Sequence, residues 1–197
     1  MTAGGRATLF AAERFRAIEL GAGDAPWLQR FFDENPEYFV IVSEEGPTST
    51  EASDTIHDPL PGGWTFTKKW SIGFVDANGS MIGMADVVSD ILAQHVWHIG
   101  LFIVATRLHG AGTAQLLYAS LERWTQEHGA EWLRLGVVEG NTRAECFWQR
   151  CAFVAVRTRS MQIGKRTPTI RVMYKPLADG SLGEYLSLVP RDHPDAP

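Results

Sequence analysis

Arg107-Leu108-His109-Gly110-Ala111-Gly112-Thr113-Ala114 joins an apolar strand to an amphipathic helix, and its reading decides the fold. Its two glycines permit backbone angles and a close approach that a Cβ would block. The first N–H groups of the following helix lack intrahelical acceptors, and together with the positive helix end they attract an anion. The junction is therefore expected to hold phosphate. Before it, Val96 to Val104 is a nearly continuous apolar run, which suits a central strand covered on both faces. After it, Ala114, Leu117, Leu121 and Trp124 recur at steps of three and four, giving a helix with one buried face and Gly129 as its C-cap. Leu133, Leu135 and Val137 then alternate with Arg134 and Gly136 in a further strand. A dinucleotide-binding loop would place a third glycine at position 115, where this chain has Gln115. A Walker loop would need Gly-Lys-Ser/Thr after a longer spacer, and that is absent too.

Outward from this unit, residues 14–20 read as a first strand, and Asp24 with Pro26 opens a helix through Phe32 that Pro36 ends. Residues 43–69, rich in Pro, Gly, Ser, Thr and Asp, read as a long loop with one helical turn near 51–56. Segments 70–75 and 81–88 flank Asp76-Ala77-Asn78-Gly79, a hairpin signal. Asn141 caps a helix carrying Ala144, Phe147, Trp148 and Cys151, and β segments 154–163 and 169–174 follow. With 197 residues and 45% hydrophobic content, the chain is expected to form one domain over 1–177. Residues 178–197 form a tail in which Tyr185, Leu186 and Leu188 are available for docking.

A formal charge of −5 argues against a general nucleic-acid binder. Acid is concentrated in the first third, and residues 143–175 are predominantly basic. The plain reading is two solvated faces of opposite sign. The sharper one sets a basic side near a polyanionic cofactor and an acidic side near a cationic substrate. Cys146 and Cys151 stand five apart on one helix, so they read as core thiols, with no metal site expected. No apolar stretch has membrane-spanning length and no signal-peptide h-region opens the chain, so a cytoplasmic location is expected.

The order strand, helix, hairpin, strand, phosphate loop with helix, strand, helix, strand, strand resembles the GNAT family of acetyl-CoA-dependent N-acetyltransferases. Arg107, Gly110 and Gly112 match that family's Arg/Gln-x-x-Gly-x-Gly/Ala signature at a helix start. Asn141, Ala144, Trp148 and Phe153 match its second signature in part. The resemblance implies an α/β fold with a central mixed, mostly antiparallel sheet, flanked by helices and splayed between the fourth and fifth strands to make the cofactor slot. It implies that backbone N–H groups over Leu108, His109, Gly110, Ala111, Gly112 and Thr113 hold the pyrophosphate of acetyl-CoA. It also implies that the strand edge at Phe102, Ile103 and Val104 pairs with pantetheine and that Asn141 contacts its far end. A homodimer is the implied assembly. Two positions depart from the pattern: Trp148 replaces a tyrosine whose hydroxyl is thought to protonate the leaving thiolate, and Ala152 replaces a glycine.

Acyl transfer to an amine requires removal of a proton, because the nucleophile is largely protonated at neutral pH. His98, on the strand at the cofactor edge, is the first candidate base, with Asp86, Asp90 and His95 as alternatives. Solvent, Tyr118 or a cysteine is left to protonate the thiolate, unless it departs unaided. A strand N–H near Phe102 would meet the oxyanion. The expected activity is transfer of acetyl from acetyl-CoA to a primary amine of a small molecule or peptide. The competing readings are an acyl-CoA-binding regulatory module with lost turnover and an unrelated phosphate-binding fold.

Overall fold

The structure is a computed structural model that describes residues 6–57, 60 and 64–196. Its centre is an eight-stranded sheet. The strands are β1 (Thr8–Ala12), β2 (Phe15–Glu19), β3 (Lys68–Asp76), β4 (Met81–Ser89), β5 (Val96–Val104), β6 (Trp132–Val138), β7 (Val154–Ser160) and β8 (Thr169–Pro176). Their spatial order is β1-β2-β3-β4-β5-β6-β8-β7. Only the β5–β6 pair is parallel, and the connection between them carries α4 (Thr113–Glu127), as a parallel crossover requires. The expected mixed, mostly antiparallel α/β sheet is therefore what forms. Because β1 precedes the first strand read from sequence, the expected fourth and fifth strands are β5 and β6.

Strand alternation sorts the side chains into two layers. Leu133, Leu135 and Val137 of β6 join Trp97 and Ile99 of β5 in a core covered by Leu117, Tyr118, Leu121 and Trp124 of α4. Trp148 of α5 (Thr142–Arg150) and Phe153 extend the same core. On the opposite face, Leu28, Phe31 and Phe32 of α1 (Ala25–Glu34) pack with Phe39 of α2 (Glu37–Ser43) and Ala52 of α3 (Glu51–His57) over Ile18, Met84 and Ile103.

Three elements went unread in the sequence: β1, α2 and a helix in the C-terminal segment. β1 is an edge strand with no clean alternation, and it is anchored by Phe10 stacking on Trp124 at 5.5 Å. Pro36, read only as a stop, also starts α2: it lacks the N–H that would continue α1, and its φ of −72° suits a helix start.

Residues 179–197 are not left apart from the core. Ser181 caps α6 (Leu182–Leu188), and Tyr185 is fully buried, stacked on Tyr174 at 4.7 Å. Entry to α6 is so close that a Cβ on Gly180 would lie 2.4 Å from the Trp132 ring. Beyond α6, Asp192 is buried and accepts from Arg134 of β6: Nε donates to Oδ2 at 2.6 Å and Nη2 to Oδ1 at 2.9 Å. The Tyr185 hydroxyl donates to Oδ2 at 2.6 Å.

Candidate active site

The β5–β6 ladder pairs Val96 with Trp132 and ends at Ile99 with Leu135. From Gly100 and Gly136 onward the two strands part. A register shift opposite Asp86 and Val87 makes Gly100 an extra residue against β4, and such a bulge bends β5 away from its partner. β6 keeps its pairing with β8 as far as Val138, so the opening lies on its β5 side alone.

The glycine loop sits where β5 ends. Gly110 and Gly112 have φ of +80° and +77°, a region costly to residues with a Cβ, and a Cβ built on either would meet nothing within 4 Å. Among the described residues, no acceptor engages the N–H groups of Gly110, Ala111, Gly112, Thr113 and Ala114; the first bonded amide of the turn is that of Leu116, which donates to the Gly112 carbonyl. The imidazole of His109 folds back, its Nε2–H donating to the Val104 carbonyl at 2.8 Å.

Two adjoining cavities run from this loop into the split. The larger, of about 330 Å³, is lined by Phe102, Ile103, Val104, Leu108, His109, Gly110, Gly112, Asn141 and Trp148. The smaller, of about 180 Å³, is lined by residues 98–102 and 134–138, with Trp64, Arg159 and Met161 at one end. Tyr38, Phe102, Asn141, Ala144 and Trp148 line both, so the space is continuous. A groove with unengaged main-chain donors at one end and a parted sheet in its middle fits an extended diphosphate-bearing thioester.

Residues 11–153 match the model of the Acetyltransferase (GNAT) family. The chain belongs to that family. It is thus an acyltransferase whose donor is acetyl-CoA. The fold agrees with solved structures. An acetyltransferase from Thermus thermophilus superposes with a TM-score of 0.64 at 20% identity, covering 87% of this chain and 100% of that one. A spermidine N-acetyltransferase from Vibrio cholerae, in complex with CoA and spermine, gives 0.62 at 18% identity, covering 89% and 99%. A GCN5-related N-acetyltransferase from Kribbella flavida gives 0.60 at 22%, covering 85% and 100%. No curated protein sequence matches. No helix among the described residues is long and apolar enough to cross a membrane.

The residues expected from sequence fall at different distances from the groove. Arg107, Ala111 and Thr113 belong to the glycine loop without lining the groove. Asn141 caps α5, accepting from the Ala144 N–H at 3.2 Å, and borders both cavities. Trp148 is a wall residue packed edge-on against Tyr118 and Phe153 at 5.3 and 5.2 Å. Ala152 holds the left-handed backbone that the family's glycine would adopt, with φ of +66°, at a strain of about 1–2 kcal/mol.

The candidate bases are dispersed. His98 lines the smaller cavity, its Nδ1–H donating to the Arg134 carbonyl at 3.0 Å. Burial, and then the charge of Arg134, push its pKa down to about 3. Asp86 does not line either cavity: Ser71 Oγ donates to it at 2.6 Å, and Lys69 Nζ lies 3.3 Å away. Asp90, with φ of +52°, accepts the His95 N–H at 2.8 Å and closes the β4–β5 turn. His95 Nδ1–H donates to the Gly129 carbonyl at 2.9 Å. Of the acid candidates, Tyr118 is bound to Glu122 beside Lys175, and burial raises its pKa. Burial also pushes the Cys151 thiol up to about 11. Neither Tyr118, Cys146 nor Cys151 lines the cavities.

Four residues of the site went unread: Tyr38, Trp64, Arg134 and Arg159. The signal for Arg134 was its place within the apolar alternation of a central strand, where an arginine needs a buried counter-charge. Tyr38 lay in a helix that was not recognised, and Trp64 and Arg159 meet only through tertiary packing.

Proposed function

We propose that this enzyme moves acetyl from acetyl-CoA directly to the primary amine of a small molecule while both are bound. The observation that carries this reading is the continuity of the two cavities through the β5–β6 split. Acetyl-CoA supplies an activated acetyl thioester. The amides of Gly110 to Ala114 hold its diphosphate, and the β5 edge at Phe102 to Val104 holds the arm beyond. No cysteine lines the cavities among the described residues, which favours direct transfer over an enzyme-bound acyl group. A small amine acceptor agrees with the Vibrio cholerae enzyme, whose structure holds spermine.

Tyr38 takes the place of the absent family tyrosine. Its ring borders both cavities, and its hydroxyl makes no hydrogen bond among the described residues. Burial, with the negative charge of Asp86 nearby, raises its pKa, so it is protonated at neutral pH, the state in which a donor to a departing thiolate must start. Tyr38→Phe is expected to lower kcat by about 10- to 100-fold with little change in the KM for acetyl-CoA. Stopped-flow thiol release checks this.

His98 is uncharged at neutral pH, and with a pKa near 3 it orients the amine as an acceptor without storing its proton. The rate is then limited by the fraction of acceptor already deprotonated. kcat/KM should rise about tenfold per pH unit from 6 to 8, with no histidine inflection near the usual 6.5. The profile of His98→Gln should keep that shape.

Thiol release across an amine panel, with acetyl-CoA binding followed by calorimetry, tests the whole reading. Tight binding with no release on any amine would instead support an acyl-CoA-binding module, which Trp148 and the weakly basic His98 favour.

A further inference from the structure

The end of the smaller cavity away from the glycine loop carries an excess of positive charge. Trp64 stands there with three guanidinium groups around its ring: Arg191 at 4.7 Å from the centroid, and Arg134 and Arg159 each at 5.8 Å. Asp192 is the carboxylate of this cluster, and both its oxygens are taken, by Arg134 and by the Tyr185 hydroxyl. With His98 neutral, three cations against one anion among the described residues leave a net charge of about +2.

Of the two guanidinium groups that line the cavity, Arg134 is answered by Asp192 and Arg159 is not. Arg159 projects from β7 to line the cavity, and its Nε is buried without a hydrogen-bond partner. Among the described residues its guanidinium has no ion pair. Burying such a group unpaired costs free energy that a ligand acceptor would recover. Burial and the charges of Arg134 and Arg191 weaken its hold on its proton, and the single carboxylate of Asp192 only partly offsets them.

The acids that might have attracted a polycation lie away from this end; Glu37 lines the larger cavity and accepts from the Thr106 hydroxyl. No Asp or Glu lines the smaller cavity among the described residues. In the acid-rich first third, Glu44 pairs with Arg166, Glu45 with Lys165 and Glu19 with Lys68, all at the surface. Met161, Ile163, Ile170 and Val172 give the cavity an apolar stretch of wall, with Tyr38, His98 and Asn141 as its uncharged polar lining.

We infer that the acceptor is a small amino carboxylate with an apolar body, its carboxylate held by the fork of Arg159 beside Trp64 and its amine turned toward the β5–β6 split. A planar fork with several donors matches a carboxylate in two places at once. A polyamine would bring like charge to this end of the cavity. The inference rests on the acetyltransferase reading above.

The test uses purified enzyme, acetyl-CoA and matched acceptors: L-leucine, L-phenylalanine and L-methionine, each with its carboxamide, and spermidine. With every rate referred to the concentration of free amine, since an amide's amine is the less basic, the free acids are expected to exceed their amides in kcat/KM by about tenfold or more, as one charge-assisted contact is worth roughly that. Arg159→Gln should bring each acid-to-amide ratio to near one, and Arg159→Lys should restore part of it. A role in folding alone would lower both members of a pair together and leave the ratio standing, which overturns the inference. So would a preference for spermidine or for the amides, although thiol release with them would uphold acetyl transfer. Failure of every amine, with no cofactor affinity, would overturn that reading and this one.

Discussion

Asp192→Asn is expected to lower stability by about 3–5 kcal/mol, because it strips the charge from the partner of a fully buried arginine. For a chain of this size that corresponds to a fall in Tm of about 10 °C. The contrast with the surface pairs is instructive: Lys165–Glu45, with both side chains largely in solvent, should contribute under about 1 kcal/mol. Burial alone would raise the Asp192 carboxyl pKa, but the hydrogen bonds and charge of Arg134, with the Tyr185 hydroxyl, overcome it and hold it below the ordinary carboxylate value. A depressed folded-state pKa gives stability that is complete above the unfolded value near 3.9 and is lost as pH falls through the folded one. The stability gap between wild type and Asp192→Asn should therefore narrow below about pH 4, as read from thermal or urea unfolding at stepped pH.

Gly112→Val is expected to weaken CoA binding by about 10- to 100-fold, the worth of one or two hydrogen bonds to a charged group. The residue has φ of +77°, and a Cβ there projects into empty space. Valine therefore strains the loop by about 1–3 kcal/mol and pushes a branched side chain toward the place where a diphosphate would approach the amides. Gly79→Val supplies the matched control. Gly79 has φ of +81° in the β3–β4 turn, also with nothing within 4 Å of the added carbon. The two variants should lose similar thermal stability. Only Gly112→Val should lose affinity for CoA by isothermal calorimetry.

The legible parts of this fold were those written in local pattern. The run from Val96 to the glycine pair, the stepped apolar face of α4 and the Asn-Gly hairpin each report a backbone choice made within about ten residues. The glycine loop was legible because Gly110 and Gly112 mark it by what they lack. The site was not legible where side chains from distant segments converge. Arg134 looked like the outward residue of an alternating strand, because its partner lies 58 residues on, in a segment with weak periodicity. Asp86 and Asp90 looked chemically apt, yet cross-strand Ser71 and the turn amide of His95 already engage them. Tyr38 was hidden because one proline both ended a helix and began the next.

The Arg134–Asp192 pair also ties folding to the direction of synthesis. At about 5–20 residues per second, roughly 3–12 seconds pass between translation of the arginine and translation of its carboxylate. Throughout that interval a cation destined for the interior lacks its counter-ion, so the nascent sheet must keep β6 hydrated around it. The nascent enzyme should stay protease-sensitive until the segment around residue 192 is free of the ribosome, and then close abruptly.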